Sequence, residues 1–283
     1  MAEDCGAKNF TTLPPQTTTF LLLYPSPYVL LVTIDRAQAM NSIPIAGHWE
    51  AHDLFQWFDN EPNLRVAIIT GSGTKAFCAG QDLIEQNKKR AESTNVSRSS
   101  HPPGGFAALS RRLGKKPVIA AINGFALGGG FEICLNCDLV VASPKASFGL
   151  PESTVGLYAG AGGLARVVRN CGLQIGSEIG LTGRRLSAQE AKGFHLVNVI
   201  AQTPESVVEE ALKLARHIAD ISPDATFVTR QGLREAWETA SVERATQLTG
   251  DRWAEKLMRG ENARIGLAAF AAKKKPQWVS SNL

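Results

Sequence analysis

The chain has 283 residues, 44% hydrophobic and 20% charged, with 26 glycines and a formal net charge of +4. Such a composition describes a soluble globular enzyme with a sizeable core, and the positive balance suits an anionic ligand. Basic residues are not interleaved with aromatics and no His-rich ligand spacing occurs, which argues against nucleic acid as a partner and against a bound metal.

Residues 1–16 are polar, Thr-rich and Pro-containing, and read as a disordered start without a cationic secretory leader. The longest apolar segment, Phe20 to Ile34, is interrupted by Tyr24-Pro25-Ser26-Pro27-Tyr28. It predicts a hairpin of strands near 17–24 and 28–35 instead of a membrane span. Ile45, Trp49, Leu54, Phe55 and Phe58 recur at helical intervals and predict a helix over 43–58. Three short apolar runs, 66–70, 118–122 and 138–142, are each closed by a Gly- or Pro-containing turn and read as buried strands. Residues 87–105 carry neither period and read as a mobile loop near a pocket's rim. Beyond Gly160 the chain reads as nearly all helical, over 162–171, 177–181, 187–191, 204–220, 224–240 and a last stretch to 273. The expected fold class is α/β, a mixed core followed by a helical tail.

The stretch that carries chemistry is Asn123-Gly124-Phe125-Ala126-Leu127-Gly128-Gly129-Gly130-Phe131-Glu132, followed by Glu152 in Phe148-Gly149-Leu150-Pro151-Glu152. Consecutive glycines let backbone N–H groups approach a ligand closely, and a helix beginning there aims donors and the Glu132 carboxylate at one pocket. Fixed amides beside an acid/base, with a second carboxylate at Glu152, suit adding or removing water, or moving a double bond, next to an activated carbonyl. Two plainer readings stand beside this one. The glycines can serve tight helix–strand packing, and Glu152 can be a solvated residue at a helix start. Cys134 and Cys137 have redox spacing but lie on the same predicted helix, without the turn or partner pair that redox or zinc chemistry needs, so both read as core.

Six segments in order then carry a resemblance: Arg36-Ala37-Gln38-Ala39-Met40-Asn41, Phe77-Cys78-Ala79-Gly80-Gln81-Asp82-Leu83, the 123–132 run, Cys137-Asp138-Leu139-Val140-Val141-Ala142, the 148–152 run, and 181–191. Together they resemble the enoyl-CoA hydratase/isomerase, or crotonase, superfamily over residues 17–275. The resemblance implies a crotonase-like spiral of ββα units over 17–200 and a C-terminal helical trimerisation region over 201–275. It also implies a homotrimer or homohexamer acting on acyl-coenzyme A thioesters. The oxyanion-hole N–H groups fall to Gln81 and Gly129, and the acid/base pair to Glu132 and Glu152 with one water held between them. In hydration Glu132 takes the water's proton as oxygen attacks the β-carbon, and Glu152 delivers a proton to the α-carbon. The implied activity is enoyl-CoA hydratase, the reversible syn addition of water to a 2-enoyl-CoA. A Δ3,Δ2-isomerase and a non-catalytic acyl-CoA-binding protein are the alternatives.

Coenzyme A enters as part of the substrate, and no other cofactor is implied. Ala37, Ala39, Gln81, Asp82, Leu83, Ile84 and Gly129 are the implied substrate-binding positions, with Lys273–Lys275 as candidate phosphate contacts. Gln81 stands where the family often has a small residue. Arg166 and Arg169 read as surface charges. Residues 276–283 form a tail ending in Ser281-Asn282-Leu283, a variant of the Ser-Lys-Leu peroxisomal address, so the expected compartment is the peroxisome, with the cytoplasm as the alternative. Such an address suits β-oxidation or a specialised acyl-CoA pathway.

Overall fold

The computed structural model describes residues 10–92 and 101–283. Strands β1 (Phe20–Ser26) and β2 (Tyr28–Ile34) form the antiparallel hairpin expected from the sequence, with a register shift between Leu23 and Ser26 where Pro25 has no N–H for the ladder. Helix α1 (Ile45–Asn60) follows, then β3 (Leu64–Gly71), β4 (Ala76–Cys78), α2 (Leu83–Glu92), β5 (Val118–Ile122), β6 (Phe125–Leu127), α3 (Gly129–Asn136), β7 (Leu139–Ala142) and β8 (Ser147–Gly149). A repeat runs through that order. The longer strands β3, β5 and β7 pair parallel in one sheet, and the short strand after each, β4, β6 and β8, pairs parallel in another. Successive turns of chain therefore stack side by side, which is the ββα spiral.

The C-terminal part contains α4 (Gly163–Cys171), α5 (Leu173–Thr182), β9 (Leu186–Ser187), α6 (Ala188–Gly193), β10 (Val199–Ile200), α7 (Val207–Ala219), α8 (Pro223–Glu238), α9 (Val242–Thr249), α10 (Glu255–Arg259) and α11 (Glu261–Ala271). Strands β9 and β10 complete sheets of order β4-β6-β8-β9 and β1-β2-β3-β5-β7-β10. They interrupt the nearly all-helical reading beyond Gly160. Ser187 caps α6 in a reciprocal capping box with Glu190, which starts that helix where its sequence signal lies.

Every residue of β3 is buried, so its sheet must be covered on both faces. Leu30, Val32 and Ile69 pack in one cluster with Leu54, Phe55 and Phe58 of α1. Val29, Leu31 and Ile68 meet Val207, Ala211, Leu212 and Ala215 of α7 on the other face. The helical region expected over 201–275 thus begins with a helix that belongs to the core. Arg230 and Arg234, one turn apart on α8, both close on Asp138 at 2.9 and 3.0 Å and tie the following helices to the spiral.

Several expectations are corrected. Trp49 is 45% exposed, and His48 takes the inward place on α1 instead. Residues 87–92 continue α2 instead of forming a loop, while 93–100 of the expected loop lie outside the described residues. Of the expected disordered start, 1–9 lie outside them too. Phe10 packs on Tyr24 and Trp57, and the Thr11 hydroxyl donates to Glu61 at 2.7 Å, so the segment from residue 10 is tied down. The C-terminal tail also lies along the body: Trp278 Nε1 donates to Asp220 O at 3.0 Å and Lys115 Nζ to Leu283 O at 3.2 Å. Among the described residues no helix is long and apolar enough to cross a membrane.

Candidate active site

The stacking of β4, β6 and β8 dictates where a site can form. Neighbouring strands run about 4.8 Å apart, so residues just past the end of each come together. Gln81 lies past β4, Gly129 and Glu132 lie past β6, and Glu152 lies past β8. All four line one cavity of about 460 Å³.

One wall is made of backbone. The Ile43 amide donates to Gly80 O at 2.9 Å and the Asp82 amide to Ile43 O at 3.1 Å, a single parallel bridge centred on Gln81. In such a bridge the central residue turns its own N–H away from the partner chain. Gly129 opens α3, so its N–H has no intrahelical acceptor. The two segments touch, because a Cβ built on Gly80 stands 3.4 Å from Gly129 N. Gly128 turns the chain into α3 at φ +54°, a conformation that glycine adopts freely. Gly130 lets the helix close on β4, since a Cβ there would collide with Cys78 O. The glycine run therefore does serve helix–strand packing, at Gly130, while the helix-start amide at Gly129 lines the cavity.

The other wall is acidic. Glu132, in the first turn of α3, is only 3% exposed, and its Oε1 accepts a 2.8 Å hydrogen bond from the amide of Gly163, the first residue of α4. Burial pushes its carboxyl up to about 7; the Gly163 bond opposes that rise and the neighbouring Glu152 charge adds to it. Glu152 sits in a 3-10 turn, Pro151–Val155, and burial raises its pKa too. Its Oε2 is buried with no hydrogen-bond partner among the described residues. It is therefore not the solvated loop acid of the plainer reading.

The remaining expected binding positions divide. Leu83 lines the cavity with Gln81 and Gly129, whereas Ala37, Ala39, Asp82 and Ile84 do not. Asp82 turns aside to pair with Arg36 at 3.1 Å, Ile84 is 86% exposed, and Ala37–Ala39 form a separate 3-10 turn. Lys275 pairs with Asp220 at 2.9 Å. Arg166 is half-buried instead of a surface charge, with Nε donating to Asn136 Oδ1 at 3.0 Å. Cys78, Cys134, Cys137 and Cys171 are free thiols, and burial pushes Cys78 and Cys137 up to about 12, far from the thiolate that redox chemistry needs.

Sequence reasoning missed the cavity's aromatic and imidazole side, namely His101, Phe106, Tyr158 and, behind them, His48. His48 Nε2 lies 2.8 Å and His101 Nε2 3.2 Å from Gln81 Oε1, while Gln81 Nε2 donates to Ile43 O at 3.3 Å. The available signal was a histidine within the inward stripe of α1 otherwise filled by Gly47, Ala51, Leu54, Phe55 and Phe58.

Known proteins match this architecture. A family model described as enoyl-CoA hydratase/isomerase matches residues 26–281. The chain is 45% identical over 273 residues to a mevalonyl-coenzyme A hydratase of Aspergillus fumigatus, covering 96% of this chain and 99% of that one. It is 37% identical over 254 residues to a carnitinyl-CoA dehydratase of Proteus mirabilis, covering 88% of this chain and 94% of that one. The crystal structure of an enoyl-CoA hydratase from Bacillus anthracis superposes with a TM-score of 0.82 at 32% identity, covering 93% of this chain and 100% of that one. Similarity of this extent leaves one conclusion about descent: the chain belongs to the enoyl-CoA hydratase/isomerase family.

Proposed function

We propose that the protein is a CoA-thioester hydratase/dehydratase that adds water reversibly to a 2-enoyl-CoA, and that its own substrate is a short, branched, hydroxylated acyl-CoA of the mevalonyl type. The observation that carries the reading is the single cavity shared by Gln81, Gly129, Glu132 and Glu152. The thioester oxygen rests on the amides of Gln81 and Gly129. Water oxygen bonds to the β-carbon as Glu132 takes the water's proton, and the π electrons move to the α-carbon through an enolate held by those amides. Glu152, protonated, then gives its proton to the α-carbon. Two like-charged acids facing one cavity favour holding one proton between them, which is the starting state this sequence needs. Dehydration runs the same steps backwards.

Two observations support the substrate class. Similarity to the Aspergillus fumigatus enzyme spans almost the whole chain, and Gln86 and His101 give the cavity hydrogen-bonding groups that a plain hydrocarbon chain leaves unused. The presence of both acids favours hydration over double-bond migration, for which one proton shuttle is enough.

The test is a panel of CoA thioesters: crotonyl-CoA, the dehydration product of mevalonyl-CoA, and a 3-enoyl-CoA. Hydration is read as loss of enoyl-thioester absorbance and isomerisation as its rise. The expected result is loss with both 2-enoyl substrates and a higher kcat/KM for the hydroxylated branched one. A rise with the 3-enoyl-CoA and no hydration of either 2-enoyl compound overturns the reading in favour of an isomerase.

A further inference from the structure

His48 lies on α1, away from both segments that carry the amide donors, yet it is hydrogen-bonded to one and linked to the other. Its Nδ1 accepts the Ala107 amide at 3.0 Å, so in the neutral ring the proton sits on Nε2, which donates to Gln81 Oε1 at 2.8 Å. That bond and the one from Gln81 Nε2 to Ile43 O clamp the Gln81 side chain at both ends.

Ala107 belongs to a tight turn, Phe106–Ala108, in which Ala107 and Ala108 both hold positive φ, at 48° and 50°. Alanine adopts that conformation at a cost, so the surrounding contacts must impose it. The Ser110 hydroxyl, which accepts the Phe106 amide at 2.9 Å, and the His48 ring, which accepts the next one, are two of those contacts. The turn delivers the Phe106 ring onto Gly129, where a Cβ would stand 2.5 Å from the ring. His48 and Phe106 are themselves in edge contact, centroids 4.7 Å apart. One buried imidazole thus reaches Gln81 through one nitrogen and the wall behind Gly129 through the other.

We propose that His48 is a positioning residue that fixes the spacing of the Gln81 and Gly129 amides by joining Gln81 to the Phe106–Ala108 turn, whose Phe106 ring packs on Gly129. This rests on the two-amide reading above. The ring must be neutral to accept at Nδ1, and burial holds it so by pulling its pKa down to about 4. The arrangement also accounts for the presence of a long polar residue at 81. Only its backbone faces the reaction in this scheme, and its side chain is the handle by which the rest of the site holds that backbone.

The experiment compares wild type with His48→Leu, His48→Gln and Gln81→Met. It measures kcat and KM on the best 2-enoyl-CoA of the panel and the infrared carbonyl stretch of bound, unreactive butyryl-CoA. Wild type lowers that stretch, because the amides polarise the bond. His48→Leu and Gln81→Met each lose at least half of the lowering and about 10- to 100-fold in kcat, with KM moving less. His48→Gln, which keeps an N–H for Gln81, retains more of both. The double variant His48→Leu/Gln81→Met is no worse than either single one, since both break one connection. If His48→Leu fails to fold, Gln81→Met carries the same readout at a half-buried position. The proposal is overturned if folded variants keep the full carbonyl shift and kcat, or lose activity only in proportion to a lowered melting temperature. A wild-type protein that binds butyryl-CoA without any carbonyl shift overturns the two-amide reading itself.

Discussion

Glu132 begins helix α3 and Asp138 lies just past its end, and the two carboxylates are treated in opposite ways. Both feel burial, which alone would raise their pKa. At Asp138, Arg230 and Arg234 close at 2.9 and 3.0 Å and the Val118 amide donates at 2.9 Å, so the carboxylate is held below its ordinary range and stays ionised. At Glu132 burial and the Glu152 charge outweigh the Gly163 and Ala161 amides and the Arg166 charge, no ion pair forms among the described residues, and the carboxyl sits at about 7. The difference separates structure from chemistry. A fully satisfied carboxylate is a fixed anchor, whereas one left short of partners can exchange a proton near neutrality. Glu152, with one oxygen unpartnered among the described residues, belongs with Glu132.

The largest expected effect follows from that contrast. Glu132→Gln and Glu152→Gln each keep the size of the side chain and remove the exchangeable proton. Each is expected to lower kcat for hydration by about 10²- to 10⁴-fold, the usual contribution of a positioned acid or base. Steady-state hydration of crotonyl-CoA checks this. Full turnover by Glu132→Gln would mean that its raised pKa is a by-product of burial and that the contrast with Asp138 has no catalytic content.

A smaller effect is expected on the amide wall. Gly129→Ala places a methyl 2.5 Å from the Phe106 ring, so the ring or the helix start must move. The expected loss is about 100-fold in kcat, comparable to removing one oxyanion donor. Displacing the buried ring also costs stability, on the order of 1–3 kcal/mol, so kcat is measured on folded protein well below its melting temperature. A folded variant that keeps wild-type kcat would instead make Gly129 a packing residue like Gly130.

These residues also show what was legible in the sequence. The strands β3, β5 and β7 announce themselves as apolar runs ended by turns, and the Gly128–Glu132 segment declares a helix start with donors and an acid. The second sheet was invisible. Its strands β4, β6 and β8 span only three residues each, too short for any period to register. Yet that sheet brings Gln81, Gly129 and Glu152 together, so the site's members were readable and its assembly was not. Trp49 was misread and His48 overlooked for a related reason. Periodicity ranks side chains by hydrophobicity, and a buried polar ring with both nitrogens engaged breaks that ranking. Residues 87–92 lack an apolar stripe, and α2 hid accordingly.

The last expected effect is thermodynamic and separates the two carboxylates without any substrate. Glu132 ionises at about 7 in the folded protein, against an ordinary 4.5, so the folded state binds this proton more tightly than the unfolded one. Stability linked to the group is therefore full below pH 4.5 and lost as pH rises to about 7, by on the order of 3 kcal/mol at about 1.4 kcal/mol per pH unit. Glu132→Gln cannot ionise, so its unfolding free energy relative to wild type should climb through that window and level off above it. Any fixed cost of the substitution is the same at every pH and drops out of the comparison. Asp138 has the reverse sign: its folded pKa is depressed, so the stability it contributes is present at neutral pH and lost only on acidification. Urea unfolding of wild type and Glu132→Gln at pH 5, 6, 7 and 8 measures the difference. A gap between them that stays constant across the series would mean Glu132 is ionised throughout like Asp138, with the cavity's proton held by Glu152 alone.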